Sequence, residues 1–156
     1  MLKLTTAMCA LVIVLFGQSV RAICIVPTLD RLLSDDGVAV LFRGTVVDLR
    51  PVSLPPPLEA GDVATFQVAR VWKGQVHQGV TVYFVRGNGL EGVPLELRKE
   101  YLVVAHLQSP VERRTFGLPS ASDESLLSSE VSCGALPFES KYTQTILGGA
   151  PGEPPR

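Results

Sequence analysis

The segment "GVAVLFRGTVVDL", residues 37–49, has the pattern of a long β-strand and decides the fold class. β-Branched residues are frequent in it, and Val40, Phe42 and Val46 fall on one parity, so one face of the strand is apolar. Gly44 lies on the same parity in mid-strand, where a glycine indicates a bulge or a sharp bend. The segment therefore predicts a long strand that bends at Gly44.

Four more segments downstream have strand patterns. They are "DVATFQVARVW" (62–72), "GVTVYFVRG" (79–87), "EYLVVAHL" (100–107) and a short last strand around residues 131–133. The run at 100–107 is apolar almost without interruption, which predicts a strand that is covered on both faces. Five short strands are about what a small β-barrel needs, whether it is closed or partly open.

The segments between these strands have the composition of turns and loops. The proline-rich stretch 51–61 cannot be a central strand and separates the first two strands, because proline donates no hydrogen bond within a sheet. Asn88-Gly89 is a strong turn signal. The polar stretch 117–130 predicts a long loop.

Helices are predicted at both ends of the strand region. Leucines at helical spacing lie within residues 27–37, and Gly37 is a stop signal there. A second helical pattern lies within residues 137–149 and ends in Gly148-Gly149. We expect residues 148–156 to form a disordered tail.

Residues 1–22 have the features of a secretory signal. Lys3 precedes an apolar run at residues 7–16, which is shorter than the ~20 residues that span a bilayer. Val20 and Ala22 occupy the −3 and −1 positions of a cleavage site after Ala22. Cleavage after Ser19 and an uncleaved N-terminal anchor are the alternatives. We expect a secreted or periplasmic protein with no stable membrane insertion after cleavage.

Two cysteines remain after such a cleavage, because Cys9 leaves with the signal. Cys24 is a poor lipidation site, since the bulky Ile23 stands where a lipoprotein signal needs a small residue. In an oxidising compartment Cys24 and Cys133 most simply form one disulfide, and two unpaired buried thiols are the alternative. Two cysteines and two distant histidines lack the spacing of metal ligands, so no metal and no cofactor are predicted.

Charge and motifs argue against nucleic-acid binding and catalysis. The net charge is −1, and beyond the pairs Arg98-Lys99 and Arg113-Arg114 no basic cluster is present in the sequence. His77 lies in a predicted hairpin loop and is expected to be exposed. His106 lies in an apolar strand and is expected to be a core or edge residue, not a general base. No nucleophile or metalloprotease motif occurs, so we expect a non-enzymatic protein.

Several motifs occur in a characteristic order along the chain. They are Cys24 directly after the signal, "VAVLFRGTVVDL" with Phe42-x-Gly44-x-Val46, "FQVARVWKG", "GVTVYF", "LRKEYLVVAHL" and "SCGALPF". This order resembles the netrin-like domain, the OB-fold module of the tissue inhibitors of metalloproteinases, in its short bacterial form. The resemblance implies a mainly β domain over residues 23–147, a five-stranded OB-fold Greek-key barrel with a short N-terminal helix and a C-terminal helix.

The chain also departs from the family pattern. The family commonly begins with C-x-C, and only the second of these cysteines, Cys24, is present here. The cysteine expected between the third and fourth strands is missing as well, so one disulfide is lost as a unit. The remaining pair, Cys24 and Cys133, corresponds to a bridge that the family keeps. Arg98 stands where the family has a glycine before Tyr101.

The resemblance implies a function through protein contact. In the inhibitors, the free amino group and carbonyl of the first cysteine chelate the zinc of a protease. Here cleavage would expose Ile23, and the resemblance implies an inhibitory edge of Ile23, Cys24, Ile25 and Val26. We expect a secreted non-catalytic domain with an unknown protein partner, and the alternative is an inhibitor of an extracytoplasmic metalloprotease. Residues 51–57 and 117–130 are candidate contact loops, or ordinary solvated linkers.

Overall fold

The computed structural model describes residues 28–54, 60–86, 94–117, 127–130 and 134–156, and this part of the chain is mainly β. Three short helices accompany the strands. The strands are β1 (Val40–Ser53), β2 (Ala60–Lys73), β3 (Gly79–Arg86), β4 (Glu100–Leu107), β5 (Leu127–Glu130) and β6 (Ala135–Pro137). The helices are α1 (Leu29–Ser34), α2 (Pro110–Thr115) and α3 (Lys141–Leu147).

The strands pair in the order β1-β2-β3-β5-β4-β6, and β1 also pairs with β4. The pairing of β3 with β5 is parallel, and the other pairings are antiparallel. The contact of β4 with β5 is short, with two residue pairs in register. The first four strands were all predicted, β1 to β3 from their apolar alternation and β4 from its continuous apolar run.

β1 bends where the sequence places Gly44. Its register with β2 shifts between Arg43 and Gly44 and again between Val46 and Asp48, which marks bulges. A Cβ on Gly44 would lie 3.1 Å from Phe66 Cβ and 3.2 Å from the Gln67 carbonyl oxygen. The strand can therefore bend tightly over β2 because this position has no side chain.

β1 runs further than the prolines at 51–61 predicted. It continues to Ser53 and includes Pro51, which pairs with Asp62 of β2. β4 contacts β1 over Val40 to Thr45, so the far half of β1 pairs with β2 alone within the described residues. A proline is tolerated there because one side of the strand needs no hydrogen-bond donor.

The apolar side chains form two clusters on opposite faces of β1 and β4. The larger cluster is centred on three aromatic residues, Phe42, Phe66 and Phe84, and also includes Tyr101 and Val103. The second cluster joins α1 and α3 to the strands: Leu32, Leu41, Leu102, Leu136, Ile146 and Leu147, with Trp72 packed against them. β4 is covered on both faces, as its continuous apolar run predicted.

Two features differ from the expectations, and one predicted strand falls on residues that the structure does not describe. Residues 127–130, expected within a loop, form β5, because β3 and β4 supply partners on both sides of this short polar segment. Residues 131–133, the predicted last strand, lie outside the described residues. α2 was not predicted, although Ser109 and Glu112 form a reciprocal capping box around Pro110.

The C-terminal residues 150–156, named the strap below, also differ from expectation. In place of a disordered tail, Glu153 forms a two-bond antiparallel bridge with Val71 of β2. The Trp72 indole donates a hydrogen bond to the Ala150 carbonyl oxygen at 3.1 Å. Both predicted helices are present but shorter, and α3 ends at Gly148, whose φ is 54°.

Candidate functional site

An open cleft of about 700 Å³ lies where β1 and β3 begin, β4 ends and β5 begins. The turn between β2 and β3 forms its rim. The lining residues come from all of these segments: Ala39, Val40, Gln75, Val76, His77, Gly79, Val80, Thr81, Leu107 and Leu127. Most of these side chains are apolar, and a concave apolar surface with a few polar groups is typical of binding sites.

The floor of the cleft continues the larger apolar cluster. Val40, Val76 and Leu127 are between 4 % and 5 % exposed and belong to that cluster. Leu107 is different, because it lines the cleft yet is 57 % exposed. An exposed leucine beside a buried apolar floor offers area that a partner can cover, with a gain of about 25 cal/mol per Å² of apolar surface buried.

Gly74 fixes the turn that forms the rim. Its φ is 78°, a left-handed conformation that glycine adopts without steric cost. A Cβ at this position would overlap the Ala39 carbonyl oxygen and would lie 2.8 Å from Val40 Cγ1. The turn is thus pressed directly onto the start of β1. This contact gives a physical reason for the glycine in the "VWKG" motif.

The polar groups at the rim are few. Gln75 and His77 are exposed, and neither side chain has a hydrogen-bond partner among the residues that the structure describes. Thr81 Oγ1 lies 3.2 Å from Thr65 Oγ1. The lining has one histidine and no carboxylate, serine or cysteine within the described part of the chain. This set can bind and orient a ligand, but it does not supply a nucleophile paired with a base.

α2 holds the outer side of the strands next to the cleft. His106 Nε2 lies 2.8 Å from Glu112 Oε1, and the other oxygen of Glu112 accepts a 2.7 Å hydrogen bond from the Ser109 amide. Phe116 at the end of α2 packs against Tyr83 at 5.1 Å between ring centroids. α2 therefore connects β4 with β3, the two strands that flank β5.

Glu112 is the centre of this arrangement. Burial alone would raise the pKa of its carboxyl, but hydrogen bonds from Ser109 and His106 together hold that pKa below its usual value. The pair is nevertheless half-exposed, with 43 % of the His106 side chain and 27 % of the Glu112 side chain accessible. We assign it to fixing α2, since the carboxylate also closes the capping box.

A second charge pair is also structural. Arg43 donates to both carboxylate oxygens of Glu100, at 3.2 and 2.6 Å. Its guanidinium carbon lies 3.9 Å from the ring centroid of Phe138, and the Phe138 amide donates to the Glu100 carbonyl oxygen. The contact ties the segment before α3 to β4.

The residues that the sequence singled out are distributed unevenly. Ile23, Cys24, Ile25, Val26 and Cys133 lie outside the described residues, so the inhibitory edge and the disulfide stay predictions. The first candidate loop is described only in part, with Leu54 buried beyond the end of β1. His77 is exposed, as its loop predicted, and it borders the cleft.

No sequence pattern indicates the cleft itself. Its lining comes from four separate strand ends and one turn, which only the pairing of the strands brings together. The capping box of α2, in contrast, was readable from the sequence "SPVE", residues 109–112, as a serine followed three residues later by a glutamate.

Comparison with known proteins leaves the chain without an assigned family. No family model matches it, and no curated protein matches it. Among the described residues, no group of three or more histidine, cysteine, aspartate or glutamate side chains could hold a metal ion. None of the helices in the described part is both long enough and apolar enough to cross a membrane.

Proposed function

We propose that the chain is a netrin-like domain with an OB-type Greek-key barrel. The order of pairings supports this proposal, since following it from β1 through β2, β3, β5 and β4 leads back to β1. The parallel pairing of β3 with β5 and the bent, shared β1 are further support. Arg98 has a φ of 65°, so the position where the resembled family has glycine keeps a glycine-like backbone.

In this proposal the domain acts outside the cytoplasm as a non-catalytic binding module. Its cleft receives an apolar side chain of a protein partner. The observation that carries the proposal is the 57 % exposed Leu107 on the wall of a cleft whose floor is buried and apolar. Gln75 and His77 at the rim are available to hydrogen-bond the partner's backbone or polar side chains.

Binding accounts for this surface better than catalysis does. A catalytic site requires a reacting group and a second group that activates it within hydrogen-bond reach. Within the described residues the cleft combines His77 with Thr81 and Gln75, and neither is a usual proton-transfer partner for a histidine. An apolar cleft with a polar rim instead has the anatomy of a protein interface.

The test is capture of a partner from envelope extract and culture supernatant, with Leu107→Asp compared against Leu97→Asp. Leu97 is an apt control because it is 55 % exposed, almost as much as Leu107, but does not line the cleft. We expect the parent and Leu97→Asp to enrich the same protein and Leu107→Asp to lose it at least tenfold. Equal capture by Leu107→Asp, with its circular dichroism unchanged, would rule out the cleft as the binding surface.

A further inference from the structure

The strap covers the edge of β2 beyond its pairing with β3, and this edge is a candidate for a second binding site. β2 pairs with β3 from Ala60 to Gln67, and Val68 still donates to the Gln78 carbonyl oxygen. Beyond that point the chain turns away, and the edge of β2 at Val71 is left without β3. An uncovered strand edge presents free amide and carbonyl groups that can pair with another extended segment.

The strap fills this edge with few contacts. Val71 donates to the Glu153 carbonyl oxygen at 2.8 Å, and Glu153 donates to the Val71 carbonyl oxygen at 2.7 Å. Arg156 donates to the Val76 carbonyl oxygen at 3.1 Å, so the strap reaches one of the residues that line the cleft. Pro151, Glu153 and Pro154 are exposed, which places the strap among the weakly held parts of a fold.

The β2 edge at Val71 and Trp72, named the strap seat below, nevertheless restricts which segments can bind to it. The Trp72 indole donates to a backbone carbonyl, that of Ala150, and one face of the ring lies against Gly152. A Cβ on Gly152 would lie 2.9 Å from Trp72 Cε2, and the φ of Gly152 is 63°. A bound segment therefore needs glycine at this position. The next residue must exchange two backbone hydrogen bonds with Val71, as Glu153 does.

The connection to α3 allows the strap to leave. Gly148 and Gly149 both have positive φ, and neither would bring a Cβ within 4 Å of another atom. Two unobstructed glycines in series can change direction without a steric clash, at the cost of the hydrogen bond from the Ala150 amide to the Leu147 carbonyl oxygen. The strap can thus swing away while α3, which packs through Ile146 and Leu147, stays in place.

We propose that the β2 edge at Val71 and Trp72 is a peptide-binding site of the strand-addition type, and that the strap is its resident competitor. The partner is an extended, proline-containing segment with a glycine that faces Trp72, the same chemistry as residues 150–156. Main-chain hydrogen bonds give such sites their affinity, and side-chain pockets give them their selectivity. The proposed site does not include Leu107, and the proposal does not depend on the function proposed for the cleft.

The experiment uses the full chain with Gly152→Val, which removes the strap from its seat. The probe is a labelled synthetic peptide of residues 150–156. Trp72 is the only tryptophan of the sequence, so its fluorescence reports whether the seat is filled. We expect Gly152→Val to shift the Trp72 emission, the peptide to reverse that shift saturably, and the parent to bind the peptide at least tenfold more weakly.

Three controls make the result decisive. Glu153→Gln changes an exposed side chain and keeps the backbone bonds, so it should behave as the parent does. Glu153→Pro removes the amide that bonds Val71 and should release the strap by a second route. A peptide with valine at the Gly152 position should not bind.

The proposal is overturned by several outcomes. These are an unshifted Trp72 emission in both strap variants, failure of the peptide to bind a strap-released chain, or equal binding of the valine peptide. Equal binding of the peptide by the parent and by Gly152→Val would mean that the peptide binds outside the β2 edge. The parent could also form a concentration-dependent dimer that Gly152→Val does not form. That result would mean that the strap of a second copy occupies the site, and it would overturn the proposal of a partner peptide.

Discussion

Arg98 has a backbone conformation that ordinarily belongs to glycine. Its φ is 65°, and within the described residues it is the one non-glycine residue with positive φ. Its amide donates to the Val46 carbonyl oxygen, and Lys99 donates back to Glu96, which closes a tight turn. The turn is thus fixed by β1 on one side. The surrounding hydrogen bonds maintain an arginine conformation that would otherwise be unfavourable.

Replacing Arg98 by glycine should stabilise the protein. The left-handed conformation costs a residue with a Cβ about 1–2 kcal/mol, and the greater freedom of glycine in the unfolded chain offsets part of that. We expect a net gain of about 0.5–1 kcal/mol in the free energy of unfolding by urea titration. Lys99→Gly in the same turn is the control and should lose stability. A loss in both variants would contradict the strain argument.

Gly74 should be far less replaceable than Gly79, which lies five residues away and lines the cleft. Alanine at Gly74 would have an unfavourable φ and would overlap the Ala39 carbonyl, so we expect a loss of about 2 kcal/mol or more. Gly79 has no atom within 4 Å of its Cβ direction, and Gly79→Ala should stay within about 0.5 kcal/mol of the parent. Thermal and urea unfolding measure both. Equal losses of stability in the two variants would mean that the contact of Gly74 with the start of β1 does not determine the effect.

At the scale of elements, α2 depends on the ionised form of Glu112. Its carboxylate accepts from the Ser109 amide and from His106, and its pKa lies below the usual value because these bonds outweigh burial. The stabilisation is therefore present above about pH 4.5, the carboxyl's ordinary value, and is lost as the pH falls through its lower folded value.

Glu112→Gln tests this dependence. We expect the variant to be less stable than the parent at pH 7, by up to about 1 kcal/mol, because a neutral amide is the weaker acceptor for the capping bond. The difference should shrink as the pH falls below about 4.5 and the parent carboxyl becomes protonated through its lowered pKa. Urea midpoints across pH 3–7 measure it. A difference that is constant over this range would mean that the charge of Glu112 is not what holds α2.

Some strands follow from the local sequence pattern, whereas others form only because neighbouring strands pair with them. β1 to β3 follow from alternation of side chains along one strand and β4 from a continuous apolar run, and the sequence displays both patterns directly. β5 is the short segment "LSSE", with one apolar residue, and it is a strand because β3 and β4 lie on both sides of it. The strap is extended for the same reason, since the edge of β2 supplies its hydrogen bonds. Neither can be predicted from local composition.

For the whole molecule, function depends on which strand ends the pairing brings together. The cleft unites residues as far apart in sequence as Ala39 and Leu127, so no motif could have revealed it. The strap seat likewise joins Trp72 to Ala150. The sequence predicted the main strands, because the periodicity of apolar side chains is a local pattern. The cleft and the strap seat depend instead on pairing between strands that are distant in sequence.

The predicted disulfide would join Cys24, near the N-terminus, to Cys133. Leu32, eight residues after Cys24, and Leu136, three residues after Cys133, belong to the same apolar cluster, so the described parts nearest the two cysteines meet on one side of the sheet. We predict that peptide mapping under non-reducing conditions finds Cys24 linked to Cys133. Two free thiols in the folded protein would refute the bridge.

Loss of that bridge should act on the unfolded state and leave the fold in place. A crosslink that closes a loop of over a hundred residues limits the unfolded chain and stabilises by up to ~4.7 kcal/mol in the chain-entropy model, although engineered and native cases often give less. We therefore expect Cys24→Ser to unfold at lower urea with an unchanged fold by circular dichroism, and Cys133→Ser to match it. Because both variants remove the same bridge, the double variant should be no less stable than either one. Additive losses would mean that the two cysteines stabilise the protein independently, as buried thiols do.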